Sequence, residues 1–497
     1  MIYFGYIIIF LLFLTAAGVF IFYSYRRIVY DHFQKICTRA LLTAQNRLNS
    51  PRWFSSRFLN DIIRFLFKSR SAKARRALLF LCCGKTSPAE KYLADRGRFS
   101  DAAVLGSFLF PKKGCEILEK LLRKTPDSQK IPAELAKLYF ALGQIPKTRL
   151  TVERIDNTKA DPYSRGVKSY FQAYFFLQDG DMLTASESCS LAITIFNRQQ
   201  AAYEEAQSYL LMGTIYRVSC IEDVAQFMFG AALKIFGKIG DAAGEAEALG
   251  NLGMLFVLQE RFAEAEENFQ KALEINLQAQ RPAAAGDINN QLALMQILKN
   301  DFAAAEIYLD AAAALHGENP GNGFTQELRA RAAYGKKDLA TAALLARQAA
   351  EIYKGSGNVS AYFESLYLQA LALFELGQPD PAEQILRDLL TFSRKKQTSF
   401  HVANAYNLLG LIYLQKEDLQ RARGFFQEGI SLEQKNERYS GAATDYANIG
   451  LVERKCGHYQ EAAKNLEKAL ELSAAYGETE LSDILQKQLA ALKLKLK

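Results

Sequence analysis

Histidines are the first place to look for proton transfer or metal binding, and here they form no motif. His32, His316, His401 and His458 are scattered along the 497 residues. No His-Glu-x-x-His spacing sets two imidazoles and a general base on one helical face. Gly84-Lys85-Thr86 has the wording that closes a phosphate-binding loop, but such a loop needs a glycine five residues earlier, and Leu79 stands there. The seven cysteines, Cys37, Cys82, Cys83, Cys115, Cys189, Cys220 and Cys456, are odd in number and contain no Cys-x-x-Cys pair. That is not a disulfide framework. They read as small buried hydrophobes in a reducing compartment, Cys82-Cys83 as core rather than acylation sites. The expectation is a binding protein: not an enzyme, with no metal and no cofactor.

The elements around these residues carry more information. Hydrophobic residues at 49% and charged residues at 23% fit a folded chain. Residues 1–25 read as a membrane anchor. Ile2 to Tyr23 hold no charged side chain, and 14 of these 22 residues are Ile, Leu, Phe or Val. As a helix they span roughly 33 Å, against a hydrocarbon core of about 30 Å. Tyr3, Tyr6, Tyr23 and Tyr25 sit where the two interfaces would fall. The run lacks the basic start and small-residue cleavage site of a signal peptide. Basic residues follow the span directly, so the positive-inside rule predicts a single-pass protein of the cell membrane with its C-terminal side in the cytoplasm; a periplasmic array is the alternative.

Charge is local. Between Arg26 and Arg76 there are 13 Lys or Arg and two acids, a net of +11 within a chain total of +8, which leaves −3 for the rest. Residues 26–76 are therefore a basic juxtamembrane segment. Within it, RWFSSRFLNDIIRFLFK (52–68) places Phe54, Phe58, Ile62 and Phe65 on one helical face and Arg57, Arg64 and Lys68 on the other. Arg26, Arg27, Trp53, Arg57, Arg64 and Lys68 are the expected contacts to anionic lipid headgroups. Packing of this helix on the start of the downstream array is the competing reading. Nothing in the chain calls for nucleic acid.

Self-comparison shows a repeat. Small residues recur at Ala173, Gly213, Gly253, Ala293, Ala330, Ala370, Gly410 and Gly450. Twelve residues after each comes an alanine: Ala185, Ala225, Ala265, Ala305, Ala342, Ala382, Ala422 and Ala462. Both series step by 40 residues except for one step of 37. Four residues on is a mostly bulky position, from Cys189 and Phe229 through to Leu466, and three further a position that is small except at Leu389. Offsets of 3, 4 and 7 mark one helical face, so each unit is a pair of helices. Breaks such as Lys299-Asn300-Asp301 and Cys456-Gly457-His458 join helix to helix. The array is expected over 166–479, preceded by helical, degenerate repeats over 77–165, among them 131–144 with Ala136. A capping helix over 480–497 closes it. The stretch 316–323, with Pro320 and three glycines, is expected to interrupt helix.

ANIGLVERKCGHYQEAAKNLEKALEL (447–472) and GNLGMLFVLQERFAEAEENFQKALEI (250–275) resemble tetratricopeptide repeats, and the 40-residue period is similar to that of kinesin light chains and Pins-type adaptors. Two features depart from the family: the proline that ends the second helix is absent, and Ala333 replaces the first-helix aromatic in the unit at 330–355. The resemblance implies an all-α fold, a right-handed superhelix of antiparallel helix pairs preceded by one transmembrane helix. It also implies a groove lined by first helices that takes a protein or an extended peptide. Carried onto this sequence, the groove positions are polar at Glu247, Asn251, Asp287, Asn290, Gln291, Glu364, Asn404, Asn407 and Asn448, and apolar at Met254, Leu294, Leu371, Leu411 and Leu451. The lysine and paired asparagines of chaperone-tail clamps are missing. The expected function is a membrane-tethered interaction scaffold, with a peptide-responsive regulatory receptor as the alternative.

Overall fold

The computed structural model describes residues 115–496 apart from 117, 120–121, 124–125, 318–321, 357, 397–401, 436–438 and 477–478. The anchor expected over 2–23 and the basic helix over 52–68 lie outside the described residues. So do the six candidate lipid contacts Arg26, Arg27, Trp53, Arg57, Arg64 and Lys68. Among the described residues no helix is long and apolar enough to cross a membrane.

From Lys130 onward the described residues form nineteen helices and no strand. In order they are α1 (Lys130–Ala141) and α2 (Ile145–Glu153), α3 (Pro162–Asp179) and α4 (Met182–Arg198), α5 (Ala202–Val218) and α6 (Glu222–Ile239), then α7 (Ala242–Leu258) and α8 (Phe262–Gln278). Next come α9 (Pro282–Leu298) and α10 (Phe302–His316), α11 (Asn322–Gly335) and α12 (Leu339–Ser356), α13 (Val359–Glu375) and α14 (Pro379–Lys396). The last are α15 (Val402–Gln415) and α16 (Leu419–Lys435), α17 (Tyr439–Lys455) and α18 (Tyr459–Ala475), and α19 (Thr479–Leu496). The chain divides into two compact units, Met1–Ile288 and Asn289–Lys497, so the boundary falls inside α9. In the first unit α3/α4, α5/α6 and α7/α8 pair, each second helix packs on the next first helix, and α3, α5 and α7 touch in a row. The second unit repeats this with α11/α12, α13/α14, α15/α16 and α17/α18, and α19 closes on α18 through Leu485, Leu489 and Leu492.

The packing follows from the repeated positions. All eight alanines from Ala185 to Ala462 are 0% exposed. The small first-helix residue is matched to its partner sixteen positions on. A Cβ added at Gly213, Gly253 or Gly410 would lie 2.4–2.5 Å from ring atoms of Phe229, Phe269 or Phe426. Where that partner is Cys189, Leu309, Ala346 or Leu386, the facing residue is Ala173, Ala293, Ala330 or Ala370, all buried. Gly450 opposite Leu466 is looser, at 3.0 Å. The weak repeat at 131–144 folds as α1/α2 with Ala136, Thr148, Val152 and Ile155 buried in the equivalent places.

Each turn from first to second helix holds one residue with positive φ, at Gly143, Gly180, Cys220, Glu260, Asn300, Lys337, Gly377, Glu417 and Gly457. The next N–H bonds the carbonyl five residues back, as from Asp181 to Phe176 at 2.9 Å and from His458 to Glu453 at 2.9 Å, satisfying carbonyls the helix end leaves open. Asp181, Asp301, Asp338 and Asp418 then cap the following helix by accepting backbone N–H groups.

Two expectations are corrected. Gly323 lies inside α11, buried against Ile352 and Tyr353, where an added Cβ would come within 3.1 Å of both side chains. Cys220 and Cys456 are exposed, since both fall at turns, whereas Cys115 and Cys189 are buried.

Candidate partner-binding surface

In the first unit α7 places Glu247, Asn251 and Met254 on one face, with Glu247 exposed and the other two half-buried. The Asn251 amide donates to the Glu247 carbonyl at 2.9 Å, which fixes the side chain along its own helix. Asp287 on α9 is exposed. In the second unit Gln291 and Leu294 are half-buried on α9, Glu364 and Leu371 on α13, Asn407 and Leu411 on α15, and Asn448 and Leu451 on α17, while Asn404 is exposed. The leucines touch the core with one side and solvent with the other.

Asn290 is placed differently from the expectation. It is fully buried, its Oδ1 accepting from Thr325 at 3.0 Å and its Nδ2 3.4 Å from the His316 ring. A buried amide must be bonded, so Asn290 ties α9 to α10 and α11 rather than offering itself to a partner. Asn407 donates to Asp445, which burial pushes up to about 7, the nearby Glu433 adding to the effect and the Asn407 bond opposing it. Gly429 leaves the space the Asp445 carboxylate occupies.

Glu364 is paired with Arg331, which also donates to the buried Glu327 at 2.7 Å; Tyr353 donates to the other Glu327 oxygen at 3.1 Å. Burial raises the Glu327 carboxyl, and Arg331 opposes it. Arg331 was not singled out from the sequence, yet the signal was there. It stands where Met254, Leu294, Leu371, Leu411 and Leu451 stand in the other units. His316 and His458 lie apart, His458 against Glu453 at 2.8 Å. Among the described residues no group of three metal-ligating side chains comes together.

Family models for the tetratricopeptide repeat match residues 223–278, 403–436 and 446–476. The chain carries tetratricopeptide repeats. The regulatory protein AfsR of Streptomyces griseus is 28% identical over 202 residues, 39% of this chain; the match spans about a fifth of that relative, 20% of its length. Among solved structures, yeast Tom70 is 14% identical with a TM-score of 0.49, covering 86% of this chain and 96% of that one. The apo quorum sensor NprR of B. thuringiensis is 13% identical with a TM-score of 0.47, covering 78% and 99%. A tetratricopeptide repeat protein of Parabacteroides merdae is 17% identical with a TM-score of 0.39, covering 58% and 98%. In repeat terms, the matched stretches are α6–α8 and α15–α18, which hold Glu247, Asn251, Met254, Asn404, Asn407, Leu411, Asn448 and Leu451.

Proposed function

We propose that this chain is a membrane-tethered protein-interaction scaffold whose first helices hold an extended segment of a partner protein. The observation that carries the reading is the recurrence, at one place in the first helices α7, α9, α13, α15 and α17, of a half-buried leucine or methionine beside an exposed or half-buried amide or carboxylate, Arg331 taking that place in α11. Neighbouring helices pack roughly 8–10 Å apart, and three residues of an extended chain cover about 10 Å, so an apolar side chain at every third position of the partner matches the ladder. Amides beside the ladder hydrogen-bond peptide groups whatever the sequence. The role is binding without catalysis. Cross-linking in intact membranes, with groove residues replaced by a photoreactive side chain, tests it: adducts confined to Met254, Leu411 and Leu451 are expected, and adducts only at second-helix positions would refute it.

Tethering rests on the uncharged run 2–23 and the basic segment after it. Exposed Cys220 and Cys456 give a direct measurement of the side on which the array lies. A membrane-impermeant thiol reagent is expected to label both peptides only after the cells are opened. Labelling in intact cells would place the array outside.

A second reading, a peptide-responsive regulatory receptor, is favoured by the relative named as a regulatory protein. A short peptide recovered from the purified chain supports it; a stable protein complex supports the scaffold.

A further inference from the structure

Three ionisable side chains from three successive first helices meet in the interior of the first unit. Lys137 of α1 is 2% exposed, Tyr163 of α3 is 6% exposed and Glu204 of α5 is 0% exposed. Lys137 Nζ donates to the Tyr163 hydroxyl at 2.8 Å, and that hydroxyl donates to Glu204 Oε1. Lys137 is also paired with Glu134 at 2.7 Å. The other carboxylate oxygen, Glu204 Oε2, is buried with no hydrogen-bond partner among the described residues. In the same place of the flanking repeats stand Ser164 and Gly244, so the repeat does not require an acid here.

We propose that Lys137, Tyr163 and Glu204 form a proton-operated joint between α1, α3 and α5, closed when Glu204 carries a proton and loosened when it is ionised.

A buried carboxylate is stable only when both oxygens are bonded or its charge is matched. Here the matching charge is one hydroxyl away and already shared with Glu134, and Oε2 has nothing. Protonation removes the charge and the demand on Oε2. Separating the helices instead lets water solvate the ion. The largest charge effects on Glu204 come from Lys137, which favours the ion, and Glu134, which disfavours it; Tyr163 favours the ion by direct bonding. The remaining helices packed on α5, which are α4, α6 and α7, bring no larger effect. Desolvation outweighs them all and pushes the carboxyl up to about 7 from an ordinary 4.5. The raised value fixes the sign. The closed state binds the proton more tightly than the opened one, so its advantage is complete below about 4.5 and is lost as pH rises through about 7. Lys137 falls in the repeat register of Met254, so opening the joint also displaces the row of first-helix side chains proposed to contact a partner. Only that consequence rests on the proposed function; the joint does not.

Hydrogen exchange of the full chain, corrected for intrinsic rates, measures opening directly. The expected result is that opening of residues 130–179 rises roughly tenfold per pH unit between about 4.5 and 7 and then levels off, the signature of one linked proton. Glu204→Gln keeps the shape and is permanently neutral, so its profile is expected to be flat. A flat wild-type profile, or the wild-type slope persisting in Glu204→Gln, overturns the joint. Should the glutamine variant fail to fold, Tyr163→Phe decides. It removes a bond that favours the ion, so the level-off is expected at higher pH, and an unmoved profile overturns the joint. Loss of partner binding by groove variants leaves this readout untouched. A flat profile in a chain that still binds its partner would sink the joint alone.

Discussion

At the scale of single residues, the matched glycine and aromatic of each repeat make a sharp test. Gly253→Ala gains about 1 kcal/mol of helix propensity and loses about 1–3 kcal/mol to overpacking against Phe269. In the Phe269→Leu background the clash is relieved, as Ala293 with Leu309 already shows. Denaturant midpoints of the cycle are expected to give a coupling of about 1–3 kcal/mol, and additive changes would mean that the ring moves aside freely. Among the polar candidates, Asn251→Ala with Asn448→Ala is expected to weaken partner binding by roughly 1–3 kcal/mol, about five- to 150-fold, since a net hydrogen bond contributes about 0.5–1.5 kcal/mol. Asn290→Ala is expected instead to lower stability, because Thr325 and His316 lose their buried partner. Titration of partner affinity and thermal unfolding on the same variants separates the two outcomes. Asp445 carries its own pH dependence. Its carboxyl lies near 7 instead of 3.8, so its stabilising proton is held below about 3.8 and lost as pH rises through about 7. Asp445→Asn is therefore expected to gain on the order of 1–3 kcal/mol more at pH 8 than at pH 5. A gain independent of pH would show that the carboxyl is ionised throughout.

At the scale of the helix, the turns are the weak points and the improvable ones. Gly457 sits at φ +81°, where a side chain costs about 1–2 kcal/mol, so Gly457→Ala is expected to destabilise by that much. Glu260 bears the same strain at φ +57°, and Glu260→Gly is expected to recover about 0.5–1 kcal/mol, measured by urea unfolding. The paired helices were readable in the sequence because a period of 40 repeated eight times leaves the buried alanines in phase. The turns were readable only where a glycine or a short polar break marked them; Cys220 and Lys337 take the left-handed conformation with no local signal, since the closing hydrogen bonds are set by the two flanking helices. The binding row was readable as a register and not as a chemistry. Asn290 and Asn251 differ by one place on the helix, and only the packing of α11 buries the first. Lys137 and Glu204 were hidden for a related reason. A charged residue on a helical face reads as solvated until a third helix covers it.

At the scale of the whole chain, stability in a repeat array is a sum over nearest neighbours. Leu489 of α19 packs on α18 and seals the end of the second unit, so Leu489→Ala is expected to cost about 2–5 kcal/mol and to speed exchange in α18 and α19 first, with the first unit unchanged. Uniform loss of protection across both units would contradict the nearest-neighbour picture. The matched glycines also say where this protein can be cut and rejoined. Gly213 and Phe229 travel together within one repeat, but Phe236 of that repeat fits under Gly244 of the following one. A cassette taken from 202 to 241 thus brings its own internal fit, while its Phe236 ring fills the space that a Cβ on the third residue of the following helix would take. Grafts that keep glycine there should join without adjustment; elsewhere the ring has to lie differently, as Phe196 does ahead of Glu204, packed against Gly166.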